Sequence, residues 1–71
     1  MAVYKSLELV GTSPQSFDEA VRAAVKRAGE SMRDLEWMEV VEQRGYIKGG
    51  EINEYQVKVR VWFKLEDGGS E

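Results

Sequence analysis

From Glu36 to Leu65 the chain alternates apolar and polar residues almost without a break, and the interruption is Lys48-Gly49-Gly50-Glu51. Strict alternation is the period of a strand with one buried face. Paired glycines accept the positive φ values of a primed hairpin turn. The segment therefore predicts a hairpin whose strands, about 14 residues each, reach on the order of 45 Å. In its second strand Tyr55, Val57, Val59, Val61, Phe63 and Leu65 form one apolar face, opposed by Glu54, Gln56, Lys58, Arg60, Trp62 and Lys64. In its first strand Met38 and Val40 share a face, and Trp37, Glu39, Val41 and Gln43 share the other.

What precedes the hairpin has to cover it. Val3 to Val10 alternates as a further strand, with Gly11-Thr12-Ser13-Pro14 as its expected stop. Ser16-Phe17-Asp18-Glu19 reads as a capping box, the Ser16 side chain on the N3 amide and Glu19 reaching back. Phe17, Ala20, Val21, Ala24, Val25 and Ala28 follow as one apolar helical stripe, rich in alanine, so the helix should lie close to the surface it covers. The order is β-α-β-β, an α+β fold in which a three-stranded antiparallel sheet partly wraps one helix. A helix of about 15 residues is roughly 22 Å long and shields only about half of the hairpin. Trp37 and Trp62 lie on faces turned away from it, and uncovered apolar surface of this kind marks association or ligand binding.

Composition narrows the function classes. In 71 residues there is room for one domain, expected over residues 1–66, with 67–71 a disordered acidic and glycine-containing tail. Such a chain buries roughly 60% of the surface its unfolded form exposes, so it needs staples or partner subunits. Cysteine and histidine are both absent, which removes disulfides, the common metal ligands and the common bases of Ser and Cys nucleophiles. Oligomerisation is the remaining route to stability. Ten Lys and Arg against thirteen Asp and Glu argue against nucleic acid as a partner. No apolar run approaches the ~20 residues that span a bilayer, and the opening Met1-Ala2-Val3-Tyr4-Lys5 has no apolar leader. The expectation is a soluble, cytoplasmic protein without a membrane partner.

Enzyme signatures are poor: there is no phosphate loop, nucleophile elbow or metal-ligand spacing. Glu39 with Glu42 or Glu8 could pair as acid and base, but they read more simply as a solvated strand face. Trp37 carries more information. It is either a subunit-interface tryptophan or a stacking platform, since an electron-rich indole pairs with a flat, electron-poor heterocycle. Gln56 is either an ordinary surface residue or an amide that complements a ring edge carrying C=O and N–H.

Glu8-Leu9-Val10-Gly11-Thr12-Ser13-Pro14, Trp37-Met38-Glu39-Val40, Glu42-Gln43-Arg44-Gly45, Glu54-Tyr55-Gln56-Val57 and Phe63-Lys64-Leu65-Glu66 occur in this order along the chain. Together they resemble the dodecin family, from about Val3 to Glu66. Each motif alone is weak; their order and spacing in a chain of this length are specific.

The resemblance implies small subunits assembled into a hollow dodecamer of tetrahedral symmetry that binds flavin non-covalently and is not an enzyme. It implies two flavins stacked about a twofold axis between symmetry-related tryptophans matching Trp37, with the pyrimidine edge held by the glutamine matching Gln56. Arg44 matches a basic position near the flavin tail, and Lys64 lies where bacterial members often carry arginine, a contact for phosphate or for coenzyme A. The implied role is storage, buffering and photoprotection of riboflavin or FMN; the alternative is an oligomeric scaffold without a flavin role. Two positions depart from the family. Trp62 stands where a Gly or Ala precedes the Phe; alternation puts it on the face of Gln56, about 20 Å away, out of reach of the same ring and available for a subunit contact or a neighbour's site. Met38 replaces a bulkier aromatic, a swap methionine's flexibility tolerates.

Overall fold

The computed structural model describes residues 1–65; the expected tail lies outside the described residues. The elements are β1 (Tyr4–Ser13), α1 (Phe17–Ser31), β2 (Leu35–Lys48) and β3 (Glu51–Lys64). They form a three-stranded antiparallel sheet of order β1-β3-β2 with β3 in the centre, and α1 lies on one face. The two-residue hairpin turn is made by Gly49 and Gly50 at φ 61° and 80°, as expected for a primed turn.

The core is thin. Ala20, Ala24 and Ala28 of α1 pack onto the β3 face of Val57, Val59 and Val61, all of them buried. Leu9, Phe17 and Val21 close the sides, and Phe17 meets the Tyr55 ring edge-on at 4.9 Å. Close approach of helix and sheet gives Gly11 its role. The glycine does not stop β1, which continues through Ser13. A Cβ there would sit 2.9 Å from Ala24 Cβ and nearer still to the Ala20 carbonyl oxygen, so only a residue without a side chain lets the helix lie this low. The strand ends instead at Ser13, whose hydroxyl accepts from the amides of Gln15 at 2.9 Å and Ser16 at 3.4 Å.

Half of the expected capping box forms. Ser16 Oγ accepts from the Glu19 amide at 3.0 Å, but the Ser16 amide is taken by Ser13 rather than by the Glu19 side chain. At the other end Asp34 turns the chain at φ 62°, a conformation a short polar side chain tolerates. Its carbonyl accepts from the Lys64 amide at 3.2 Å.

The helix is 15 residues long and the molecule extends 55 Å along its major axis, so the length mismatch is real. Every β2 residue beyond Leu35 is exposed. The far end of the hairpin carries Tyr46, Ile47 and Ile52, each at least half exposed. Between α1 and β2 runs an open groove of about 140 Å³, lined by Val25, Leu35, Met38 and Val61 among others. A single chain leaves this apolar surface wet.

Candidate functional site

The sheet face opposite the helix is organised by register. Partners in a ladder share a face, so this outer face carries Tyr4, Ser6, Glu8, Val10 and Thr12 from β1 and Glu54 to Lys64, in alternation, from β3. The contribution of β2 depends on its irregularities. The register shifts between Leu35 and Trp37 and again between Val40 and Glu42. Each extra residue reverses the parity of the strand beyond it.

The second shift corrects the alternation read from the sequence. Gln43, expected on the face of Trp37, pairs with Val57 and points to the helix side. Arg44 takes its place on the outer face, directly across from Gln56. Arg44 Nε donates to Gln56 Oε1 at 2.8 Å, and Gln56 Nε2 donates to Glu54 Oε1 at 3.1 Å. These bonds hold the amide in one orientation and use half of its capacity, since an amide oxygen has two lone pairs and the nitrogen two hydrogens. Beside them is a depression of about 80 Å³, lined by Val10, Glu42, Arg44, Gln56 and Lys58.

Trp37 stands at the other end. It lies across from Trp62 in the ladder and is 57% exposed. Trp62, far from Gln56 along β3, is the cross-strand neighbour of Trp37, because the bulge at Glu36 sets that register. The Tyr4 ring lies against the Trp37 indole, centroids 4.9 Å apart and planes tilted by 34°. The Tyr4 hydroxyl donates to Glu36 Oε1 at 3.0 Å. That bond, aided by some burial and by the carboxylate charge, raises the phenol above its usual pKa of 10.0. Lys64 is exposed at this same end, paired with Tyr4 across β1 and β3.

Between the two ends runs a charged middle. Arg60 bridges Glu8 and Glu39, reaching the latter with Nη1 at 3.3 Å, and Lys58 lies 3.6 Å from Glu42. The bond to Glu8, more than the charge of either carboxylate, raises the Arg60 pKa, and loss of hydration opposes it. These bridges assign the carboxylates singled out for acid–base chemistry to cross-strand pairing. The four candidate ligand residues thus fall into two groups, Arg44 with Gln56 and Trp37 with Lys64. Trp37 and Gln56 are separated by the run from Trp62 to Gln56 on β3, about 20 Å. Tyr4 and Glu36 belong to this surface although the sequence alone does not single them out; the signal was a tyrosine on the polar side of an alternating strand.

The sheet order, the close-lying helix and the aromatic end of the outer face define a small α+β protein whose apolar surface is only partly covered by its own chain. The dodecin family model matches residues 3–66, and the chain belongs to that family. Thermus thermophilus dodecin is 48% identical over 65 residues, covering 92% of this chain and 94% of its own. A solved structure of a Thermus thermophilus protein superimposes with a TM-score of 0.88 at 47% identity, covering 93% of this chain and 97% of that one. The calcium dodecin of Mycobacterium tuberculosis is 37% identical over 65 residues, 92% of each chain. Solved variants of Thermus thermophilus dodecin carry a tryptophan replaced by phenylalanine or an arginine replaced by alanine. Dodecins are flavin-binding homo-oligomers and not enzymes. Among the described residues no helix is long and apolar enough to cross a membrane.

Proposed function

We propose that the chain binds riboflavin or FMN non-covalently at contacts between subunits of a hollow dodecamer, for storage, buffering and photoprotection. The observation that carries this reading is the separation of Trp37 from Gln56. The two lie about 20 Å apart on one face of one chain, too far to grip one ring. The Trp37 of one subunit and the Gln56 of another can do so, and symmetry then repeats the contact. The outer-face depression beside Gln56, about 80 Å³, supports this, being well below the roughly 300–1,000 Å³ of an enclosed ligand pocket.

The residues fit a flavin. A photoexcited flavin is a strong oxidant, and its ground-state ring is a flat, electron-poor stacking partner. Trp37 offers an exposed indole face, worth roughly 1–3 kcal/mol per stacked ring. It can donate an electron to the excited ring and take it back, returning both partners to the ground state before reactive products form. Gln56, oriented by Arg44 and Glu54, offers its remaining lone pair and N–H to the pyrimidine edge. Arg44 and Lys64 supply positive charge for a phosphorylated tail, Lys64 as a point charge without the bidentate fork of arginine. Trp37, Arg44 and Lys64 have the same mutual spacing as the tryptophan and the two arginines replaced in the Thermus thermophilus variants, which supports assigning them to one site.

Titrating ligand-free protein into riboflavin and, separately, FMN tests the reading. The expected result is loss of nearly all flavin emission at about one flavin per subunit, in a particle of about twelve subunits by size exclusion. A large particle that leaves the flavin emissive would make the scaffold reading the better one.

A further inference from the structure

We infer that Tyr4 is a positioning residue for Trp37: tethered to Glu36, it backs one side of the indole and leaves the other as the stacking face. Independent features of the structure converge on this. The first is the register shift between Leu35 and Trp37, which leaves Glu36 as an extra residue in β2. A bulge of this kind re-aims the side chains beside it. The second is that Glu36 lies within reach of the other edge strand, where its carboxylate accepts from the Tyr4 hydroxyl at 3.0 Å. Tyr4 pairs with Lys64 of β3, so this bond spans the central strand and ties β1 to β2.

The third is the ring contact itself. With centroids at 4.9 Å and planes at 34°, the phenol covers part of the indole without lying flat on it. An indole on an exposed strand otherwise turns about two side-chain bonds, and a ligand that stacks on it must stop that motion. A ring already fixed on one side loses less freedom on binding, the ordinary gain from preorganisation. Tyr4 is itself fixed at both ends, by its backbone pairing in β1 and by the hydroxyl bond to Glu36.

The inference rests on Trp37 being the stacking residue, so its test keeps the two apart. In a Trp62→Phe background Trp37 is the single indole, and its emission anisotropy can be read in the ligand-free assembly, without flavin. Tyr4→Leu should add a fast depolarising motion to that emission, and riboflavin binding should weaken about five- to tenfold, the value of an aromatic pair. Tyr4→Phe, which keeps the ring contact and loses the tether, should recover most of both. Glu36→Ala, which leaves the Tyr4 ring in place and removes its acceptor, should match Tyr4→Phe. Tyr4→Val, which also removes the ring and keeps a strand-forming side chain, serves as the reading if Tyr4→Leu fails to assemble. Unchanged Trp37 anisotropy in whichever of Tyr4→Leu and Tyr4→Val assembles overturns the inference. Equal riboflavin affinity with Trp37→Ala overturns the flavin reading instead, and the anisotropy result stands without it.

Discussion

Replacing Gly11 with alanine should unseat the helix. The added Cβ would meet Ala24 Cβ at 2.9 Å, where carbon atoms prefer about 3.5–4.0 Å, and the Ala20 carbonyl oxygen closer still. Relief requires α1 to rise from the sheet by roughly 1 Å, and a gap of that size forfeits up to about half of each contact's dispersion energy. The contacts at risk are those of Ala20 and Ala24 with Val57 and Val59, the centre of the core. Overpacking of this kind costs about 1–3 kcal/mol, and a clash with backbone belongs at the upper end. Alanine recovers about 0.4–1 kcal/mol by restricting the unfolded chain, so the net loss should be about 2 kcal/mol. Guanidinium unfolding followed by circular dichroism, at fixed subunit concentration, should show a midpoint lower by roughly 0.5–1 M. A midpoint equal to or above that of the parent protein would refute the argument that close packing, rather than turn geometry, requires this glycine.

The outer face supplies further expected outcomes. Arg44→Ala should weaken FMN about fivefold more than riboflavin and flatten the salt dependence of FMN binding, as removal of a charge-assisted contact would; isothermal titration at two salt concentrations checks it. Lys64→Arg should tighten FMN and leave riboflavin unchanged, measured by competition between the two ligands. The raised phenol pKa gives Tyr4 a stabilising contribution that is complete below about pH 10 and is lost as pH rises through its folded value. Phenolate absorbance of the parent minus that of Tyr4→Phe should therefore show a group ionising above 10.0, and the stability difference between the two proteins should close over that range.

Much of this molecule is legible in the sequence because its two periods are unusually clean. The valines of β3 and the alanines of α1 announce the core directly, and Gly49-Gly50 announces the hairpin. The features that escape such a reading are set by long-range packing or by irregular pairing. Gly11 reads as a turn residue until α1 is seen pressing on it. Arg44 and Gln43 exchange faces because of a bulge at Val41, and alternation has no signal for an extra residue in an exposed edge strand. Trp62 is far from Gln56 along β3, but its neighbour in space is Trp37, which only the pairing of β2 with β3 reveals. The candidate site is legible as residue types; its division into two ends requires the register.

The central claim is that Trp37 and Gln56 serve one flavin from different subunits, and mixing variants tests it most directly. Trp37→Ala and Gln56→Ala assemblies should each bind riboflavin weakly. Unfolded together in equal amounts and refolded, they should recover full quenching at about one quarter of the sites, those where an intact Trp37 from one chain meets an intact Gln56 from another. Recovery of no sites at all in a mixed assembly of unchanged size would mean that both residues act from the same chain, or not on the same ligand, and would contradict the account.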